Sequence, residues 1–354
     1  MRSFLFLLAL VCTSQLFAQT FKPRFFPAGD SRLQYTGRFD FSNPQTPRAW
    51  QPGVYLEASF EGPECAIVVN DEVPWAQSRN YLQVVVDDTL MWRVQTRGKR
   101  DTIRVAKGLS KGWHKLVVAK NTEAGIGYLE FAGLITRNLR QPPQKPARRI
   151  EFFGNSITCG TGSDLSAIGC GKGQWHDQHN AYLSYGPTTA RTLNAQWQLS
   201  AVSGIGLIRS CCNLSITMPQ VWNKVNMRGD SIVWDFSRYT PDVVTFCLGQ
   251  NDGIQDSATF CGAYVQFLKT MRTQYPAAAF VLLTSPMADD QLRAAQHNYL
   301  DGVVRYMQAA GDKKVSRYFF SKRYHNGCDS HPDLAEHKQI AAELTAYLKQ
   351  LMQW

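Results

Sequence analysis

A proline-rich run divides the chain into two stretches with different hydrophobic periodicity. The run is Gln141-Pro142-Pro143-Gln144-Lys145-Pro146, and proline cannot donate to a strand ladder or continue a helix. Before it, short segments alternate apolar and polar residues; after it, apolar runs alternate with stretches of helical spacing. We therefore predict two folding units, residues 28–140 and 148–354, joined by a linker at 141–147. A chain of 354 residues agrees with this division, because one hydrophobic core seldom serves that length.

The first unit has the pattern of an antiparallel β-sandwich. Its segments are rich in β-branched and aromatic residues and are separated by turns such as Glu61-Gly62-Pro63. The segments lie at 54–60, 66–69, 81–86, 101–105, 115–119 and 127–131. Its tryptophans offer flat apolar faces that suit a sugar ring, although core or rim packing is their commoner role. They are Trp50, Trp75, Trp92 and Trp113.

The second unit predicts a parallel sheet covered by helices on both faces. Strand-like apolar runs lie at 150–153, 198–202, 243–248, 280–283 and 315–320. Between and after them, apolar residues recur with the spacing of one helix face. The stripes are Phe260, Tyr264, Phe267, Leu268 and Met271; Leu292, Tyr299, Val303, Tyr306 and Ala310; and Ile340, Leu344, Tyr347, Leu348 and Leu351. Ligands bind such sheets at the carboxyl ends of the strands.

Ser156 follows the first of these strands and is the candidate nucleophile. Gly154 lets the backbone turn sharply there, so that Ser156 stands at the carboxyl end of the strand. A serine hydroxyl is a poor nucleophile at neutral pH and needs a base, usually an imidazole. His331, just before the last helix, is the candidate base.

Two further loops supply donors for the negative oxygen of a tetrahedral intermediate. Gly204 follows the second strand of the parallel sheet and Asn251 follows the third, and the amide of Ser156 completes the predicted oxyanion hole. We predict that Gln250 and Asp252, which flank Asn251, contact substrate. Each residue alone has a commoner structural role, but together they favour an ester-cleaving site.

Four blocks resemble those of the SGNH (GDSL-type) hydrolases, in the family's order. The blocks are Gly154-Asn155-Ser156, Gly204, Gly249-Gln250-Asn251-Asp252 and Asp329-Ser330-His331-Pro332. The first unit resembles the jelly-roll half of carbohydrate esterase family two, through Tyr35-Thr36-Gly37-Arg38-Phe39-Asp40, Asn80-Tyr81 and Gly108-Leu109-Ser110-Lys111-Gly112-Trp113-His114. The resemblance implies a flavodoxin-like, three-layer α/β hydrolase domain preceded by a jelly-roll β-sandwich. It also implies an acetyl-xylan esterase-like enzyme without a cofactor, in which Ser156 attacks the acetyl carbonyl of an acetylated polysaccharide.

Three positions depart from the family pattern. Asn155 stands where aspartate is usual, Gln250 stands where threonine is usual, and Cys328 occupies the place of the orienting acid in most relatives. Asp329, one residue nearer to His331, is therefore the candidate acid that the resemblance implies, and a backbone carbonyl in that role, leaving a Ser–His dyad as in some esterases of this kind, is the alternative. Two alternatives for the function also remain. One is an esterase on another acetylated glycan such as peptidoglycan, and the other is a carbohydrate-binding protein with a decayed site.

The insertion at residues 161–180 is predicted to form one wall of the sugar cleft, with Trp175 as a substrate contact. His176 and His179 in the same insertion could in principle bind a metal, but a lone pair of histidines three residues apart in an apparent loop is weak evidence for a metal site. We predict no metal site.

The first residues have the pattern of a secretory signal peptide. A positive start is followed by an apolar run at 4–11 and by Ala18, where we predict cleavage. A lipid anchor at Cys12 is the alternative. We find no later segment that is apolar for long enough to span a bilayer, so a secreted or periplasmic protein is expected.

Of the nine cysteines, eight lie beyond this leader, and an exported protein can oxidise them. Cys159 and Cys170 could close a short loop beside Ser156, but the sequence does not assign pairs. The formal charge of +10 is spread without a dense basic block. It therefore indicates loose attraction to acidic polymers and no nucleic-acid partner.

Overall fold

The computed structural model describes residues 22–229 and 232–354. The predicted signal peptide at 1–18 and Cys12 lie outside the described residues. Within them, every helix is too short or too polar to cross a membrane.

The first part of the chain forms two facing antiparallel sheets. Its strands are β1 (Arg24–Pro27), β2 (Gln34–Thr36), β3 (Arg48–Ala49), β4 (Tyr55–Glu61), β5 (Cys65–Asp71), β6 (Tyr81–Val86), β7 (Leu90–Gln95), β8 (Arg100–Ala106), β9 (Trp113–Lys120), β10 (Leu129–Thr136) and β11 (Asn138–Arg140). One sheet has the order β1-β10-β5-β8 with β3 beside β10, and the other has the order β11-β4-β9-β6-β7 with β2 beside β4. Apolar side chains from both sheets, such as Phe60 and Phe131, fill the space between them. This confirms the predicted β-sandwich.

The second part forms a parallel sheet with helices. Its elements are β12 (Arg148–Gly154), α1 (Ser156–Cys159), α2 (Tyr185–Thr192), β13 (Ala195–Ala201), α3 (Met218–Val221), β14 (Val243–Cys247), α4 (Ser257–Gln274), β15 (Ala279–Leu283), α5 (Asp290–Ala309), β16 (Val315–Tyr318) and α6 (Leu334–Met352). The strand order is β13-β12-β14-β15-β16, and all four pairings are parallel. Counted along this part of the chain, that is the flavodoxin-like order 2-1-3-4-5. The predicted fold class is confirmed.

The parallel sheet is covered on both faces. Residues of α4 and α5 pack on one face, and residues of α2 and α6 pack on the other. The six-stranded antiparallel sheet adds its outer face to the second of these cores, where the Tyr55 ring stacks on Trp197 with centroids 4.0 Å apart. The central part of this sheet is thus buried on both faces, which explains why β6 is buried along its whole length and does not alternate.

A buried ion pair joins the two parts of the chain. Arg38, in the loop after β2, donates to the Glu151 carboxylate on β12 at 2.9 Å, and both side chains are fully buried. The other oxygen of Glu151 accepts a hydrogen bond from Tyr275 at 2.6 Å. Arg38 also donates to the backbone carbonyls of Trp222 and Lys224, at 2.6 and 2.7 Å. Each charge is therefore neutralised by a partner from a distant segment.

We expect Arg38→Met to destabilise the protein by about 3–5 kcal/mol, because Glu151 would remain buried without its counter-charge. Urea unfolding measures this free energy. Arg293→Met is the control, since Arg293 pairs with a carboxylate whose side chain is 91% exposed, and it should change stability by no more than about 1 kcal/mol. Equal losses in the two variants would contradict the prediction.

Candidate active site

The register of the parallel sheet places three loops at one edge. Gly154 at the end of β12 lies opposite Ala201 on β13 and opposite Cys247 on β14. The loops that follow these strands therefore begin at the same level. They carry the predicted nucleophile and the predicted oxyanion donors, so topology alone brings these residues together.

The turn after β12 is sterically specified. A Cβ atom at Gly154 would lie 2.1 Å from the Thr158 hydroxyl oxygen, so only glycine fits. Asn155 then caps the short helix α1 by accepting the Ile157 amide at 3.2 Å. Ser156 is the first residue of this helix and is 7% exposed at the floor of a pocket.

His331 is hydrogen-bonded to Ser156. Its Nε2 lies 2.8 Å from Ser156 Oγ, and its Nδ1 lies 3.1 Å from the carbonyl oxygen of Cys328. The same carbonyl accepts the backbone amide of His331 at 3.0 Å. A carbonyl can only accept, so Nδ1 carries the proton and Nε2 is left to accept the proton of Ser156.

Asp329 lies at the pocket rim and is exposed. Its backbone φ is 52°, and that of Ser330 is 58°, so two residues with side chains adopt the left-handed conformation in the turn before His331. The oxygen that holds Nδ1 is the Cys328 carbonyl, which is the alternative that the sequence left open. The geometry favours the dyad, and a direct role of Asp329 as orienting acid stays a prediction.

A disulfide holds the turn that carries this carbonyl. Cys328 is bonded to Cys170 of the 161–180 insertion, and its amide donates to the Gly162 carbonyl at 2.9 Å. The suggested pairing of Cys159 with Cys170 is therefore wrong. Cys159 is a buried free thiol in α1, and its sulfur lies 3.6 Å from the Glu123 carboxylate of the β-sandwich.

We expect Cys170→Ser to lower both stability and kcat, because the Cys328 carbonyl would lose its covalent anchor. Loss of a native disulfide costs about 2–5 kcal/mol, which thermal unfolding would register as a lower Tm. Cys261→Ser removes a half-buried free thiol on α4 and serves as the control. A Cys170→Ser protein with the Tm and ester hydrolysis rate of the control would refute the prediction.

The predicted oxyanion donors face the same pocket, whose volume is about 490 Å³. Gly204 has a backbone φ of 82°, which glycine adopts without strain. The Asn251 amide donates one hydrogen to the Ile205 carbonyl at 2.8 Å, which fixes the side chain. An amide nitrogen carries two hydrogens, so the second can serve an oxyanion beside Ser156.

The two neighbours of Asn251 differ in position. Gln250 lines the pocket and accepts a hydrogen bond from the Ser285 hydroxyl. Asp252 is fully buried, and its carboxylate accepts the backbone amides of residues 207–209 at 2.7 to 3.0 Å. The prediction that Asp252 contacts substrate is thus corrected: its charge is used to hold the loop that follows Gly204.

Trp175 lines the pocket and is 47% exposed, as a substrate contact requires. It packs edge-on against His179, with ring centroids 4.3 Å apart. His176 and His179 are both buried, which lowers the pKa of each imidazole and keeps it neutral. Among residues 22–229 and 232–354, no group of three or more potential ligand side chains is placed to hold a metal ion.

Sequence reasoning missed several residues of the pocket wall. Cys211 and Cys212 form a disulfide between neighbours in the chain, and both line the pocket together with Arg228 and Met287. The adjacency of the two cysteines was a usable signal. Arg228 and Met287 follow no motif, so only the tertiary structure brings them to the site.

Burial lowers the pKa of His331 below its ordinary value of 6.5. The hydrogen bond to the Cys328 carbonyl and the nearby charges of Asp329 and Glu123 act in the opposite direction and are outweighed. The imidazole is therefore neutral, and able to accept a proton, at neutral pH.

We expect kcat/KM for p-nitrophenyl acetate to fall on the acid side as His331 takes up a proton. Because burial lowers the pKa, the midpoint of this fall should lie below pH 6.5. A pH–rate profile on the free enzyme measures it. A midpoint above pH 6.5 would show that the protonated imidazole is favoured in the site, against the expectation.

The parallel sheet, the glycine-framed loops and the Ser156–His331 pair define an SGNH-type serine hydrolase fold. The model of the GDSL-like lipase/acylhydrolase family matches residues 152–320. The model of the carbohydrate esterase 2 N-terminal family matches residues 35–146. The chain belongs to carbohydrate esterase family two.

Solved structures of this family superpose over nearly the whole chain. A family two carbohydrate esterase from Clostridium thermocellum, solved with cellohexaose, is 31% identical with a TM-score of 0.83, and the match covers 91% of this chain and 99% of that one. A family two esterase from Cellvibrio japonicus is 26% identical with a TM-score of 0.84, and the match covers 95% and 99% of the two chains.

This chain spans different shares of two similar proteins. Cellulase/esterase CelE of Acetivibrio thermocellus is 32% identical over 334 residues, which is 91% of this chain but 40% of CelE. An acetylxylan esterase / glucomannan deacetylase of Cellvibrio japonicus is 28% identical, and the match covers 92% of this chain and 91% of that protein.

Proposed function

We propose that this protein is a secreted serine esterase that removes O-acetyl groups from polysaccharide, xylan or a related hemicellulose, through an acyl-enzyme intermediate. The observation that carries the proposal is the 2.8 Å contact between Ser156 Oγ and His331 Nε2 in a pocket that Gly204 and Asn251 also line. The names of the relatives, an acetylxylan esterase / glucomannan deacetylase among them, support the same substrate class.

Acylation begins when His331 Nε2 takes the proton of Ser156 as Oγ attacks the acetyl carbonyl carbon. The carbonyl oxygen becomes negative and is met by the amides of Ser156 and Gly204 and by the Asn251 side chain. The tetrahedral intermediate then collapses. The bond to the sugar oxygen breaks, and that oxygen leaves with the proton from His331, which gives a free sugar hydroxyl and acetyl-Ser156.

Deacylation repeats these steps with water. His331 Nε2 removes a proton from a water molecule whose oxygen attacks the acetyl carbon, and the same donors hold the negative oxygen. The bond to Ser156 Oγ breaks, Oγ regains a proton from His331, and acetate leaves. Throughout both steps Nδ1–H of His331 donates a hydrogen bond to the Cys328 carbonyl, which stabilises the imidazolium that forms.

Secretion is supported by the disulfides, because Cys170–Cys328 and Cys211–Cys212 need an oxidising compartment to form and persist. The exposed face of Trp175 supports a sugar substrate, since an aromatic ring covers the apolar face of a pyranose.

We expect Ser156→Ala to lower turnover of p-nitrophenyl acetate by at least about 10³-fold while leaving Tm unchanged, because the nucleophile is lost and the packing is kept. The same variant should no longer be labelled by a fluorophosphonate. Ser257→Ala, at the exposed start of α4, is the matched control. Turnover by Ser156→Ala at the control's rate would exclude Ser156 as the nucleophile.

Acetate release from acetylated xylan, glucomannan and peptidoglycan fragments separates the possible substrates. We expect the plant polysaccharides to be preferred over peptidoglycan. Binding of these polymers without acetate release, and without labelling of Ser156, would instead identify a carbohydrate-binding protein with a decayed site.

A further inference from the structure

A carboxylate of the β-sandwich reaches into the candidate active site. Glu123 lies in the turn between β9 and β10 and is fully buried. One of its oxygens accepts the backbone amide of Ser203 at 2.7 Å and contacts the thiol of Cys159 at 3.6 Å. Ser203 precedes Gly204, and Cys159 ends the helix that Ser156 begins. A single side chain from the β-sandwich part of the chain thus contacts both the loop that carries Gly204 and the helix α1 that carries Ser156.

The turn that carries Glu123 is itself anchored on the second part of the chain. The Asn121 carbonyl accepts the amide of Ala181 at 3.2 Å, and its side-chain oxygen accepts the amide of Tyr182 at 3.1 Å. On the other side of the contact, the Ser203 hydroxyl is hydrogen-bonded to that of Thr161 at 2.9 Å. The bonds of Asn121 therefore fix the turn that carries Glu123, and the bond to Thr161 fixes Ser203, which Glu123 contacts.

A buried ammonium group lies behind Glu123. Lys120 is fully buried and donates to three backbone carbonyls, those of Trp50, Thr122 and Glu123, at 3.0, 2.7 and 3.2 Å. Three acceptors need three hydrogens, which only the protonated amine has. Burial lowers the pKa of Lys120 to about 7, while Asp71 and Glu123 favour its charged form. The carboxylate and the ammonium thus make burial of each other less costly.

Building on the proposed esterase function, we propose that Glu123 is a positioning residue of the active site. Its hydrogen bond to Ser203 holds the loop that presents the Gly204 amide to the oxyanion. Its negative charge stabilises the protonated form of His331 during catalysis, in a site where a neutral carbonyl replaces the usual acid at Nδ1. The β-sandwich is, in this proposal, a part of the catalytic unit.

Charges on several elements face the groups involved. Glu123 itself has Lys120 and Cys159 as neighbours, and Asp71 also acts on Lys120. His331 is influenced by the charges of Asp329 and Glu123, and it also interacts electrostatically with the buried imidazoles of His179 and His337. A test must therefore change Glu123 alone and read the state of His331 directly.

Two substitutions separate the charge of Glu123 from its hydrogen bond. Glu123→Gln keeps an oxygen acceptor for Ser203 and removes the negative charge. We expect a lower pKa of His331, because the imidazolium loses a favourable charge, and a fall in kcat of about tenfold with little change in KM. Glu123→Asp keeps the charge and withdraws the oxygens from Ser203. We expect it to lower kcat while the pKa of His331 stays near that of the wild type.

Titration of labelled histidines by NMR measures the pKa of His331, with its signal assigned by its absence in His331→Asn. Glu130→Gln is the matched control. Glu130 is a buried carboxylate on β10 of the same sandwich, but it pairs with Arg48 at 2.6 Å. We expect it to leave both the pKa of His331 and kcat unchanged. Unfolding curves of all variants verify that the comparison is made on folded protein.

A Glu123→Gln protein with the kcat and the His331 pKa of the wild type overturns the proposal. So does a loss of activity that follows only the folded fraction, with the pKa unchanged, since that indicates a purely structural role. If Glu123→Gln does not fold, wild-type kcat in Glu123→Asp overturns it. Failure of the proposed function is a separate result: the wild type would release no acetate and resist labelling, while the titration would still decide the role of Glu123.

Discussion

The buried ion pair between Arg38 and Glu151 is the interaction on which the rest of the structure depends. Burying two charged side chains away from water is costly unless they pair with each other and their remaining polar atoms are hydrogen-bonded. The segments that carry Arg38 and Glu151 must therefore keep the arrangement that maintains these contacts. Glu151 lies on the central strand β12, and Arg38 reaches it from the β-sandwich. The pair therefore holds the sandwich against the strand whose end carries Ser156, and the hydrogen bonds of Asn121 with Ala181 and Tyr182 hold the turn containing Glu123 at the site.

The second constraint is the way in which His331 is held. A backbone carbonyl orients its ring, and a disulfide to the insertion holds the residue, Cys328, that provides this carbonyl. A neutral acceptor fixes the tautomer as well as a carboxylate does, but it stabilises an imidazolium less. Two carboxylates that favour the protonated imidazole without bonding to Nδ1 can add to this stabilisation. They are Asp329 at the pocket rim and Glu123, which contacts the loop that carries Gly204.

Periodicity was sufficient to predict the long elements. Each of the six segments predicted for the sandwich, and each of the five predicted parallel strands, corresponds to a strand of the structure. Alternation and continuous apolar runs predict such strands well because both patterns follow directly from burial. The strands β1, β2, β3, β7 and β11 were missed, since four of them have two to four residues and carry no pattern, and β7 is a half-exposed edge. Asp252 was misjudged because its sequence neighbours face the pocket while its own carboxylate turns inward to the loop amides.

The sequence by itself determined which residues can meet at the site. Ser156, Gly204 and Asn251 each follow a parallel strand, and parallel strands end at one edge whatever the details of packing. Only the tertiary structure decided what holds them there. The partner of Cys170 is 158 residues away, and the amide that Glu123 holds is 80 residues away. Local patterns record which way a side chain faces, but a hydrogen bond or a disulfide depends on the distance between atoms of remote segments, which the packing of the whole chain sets.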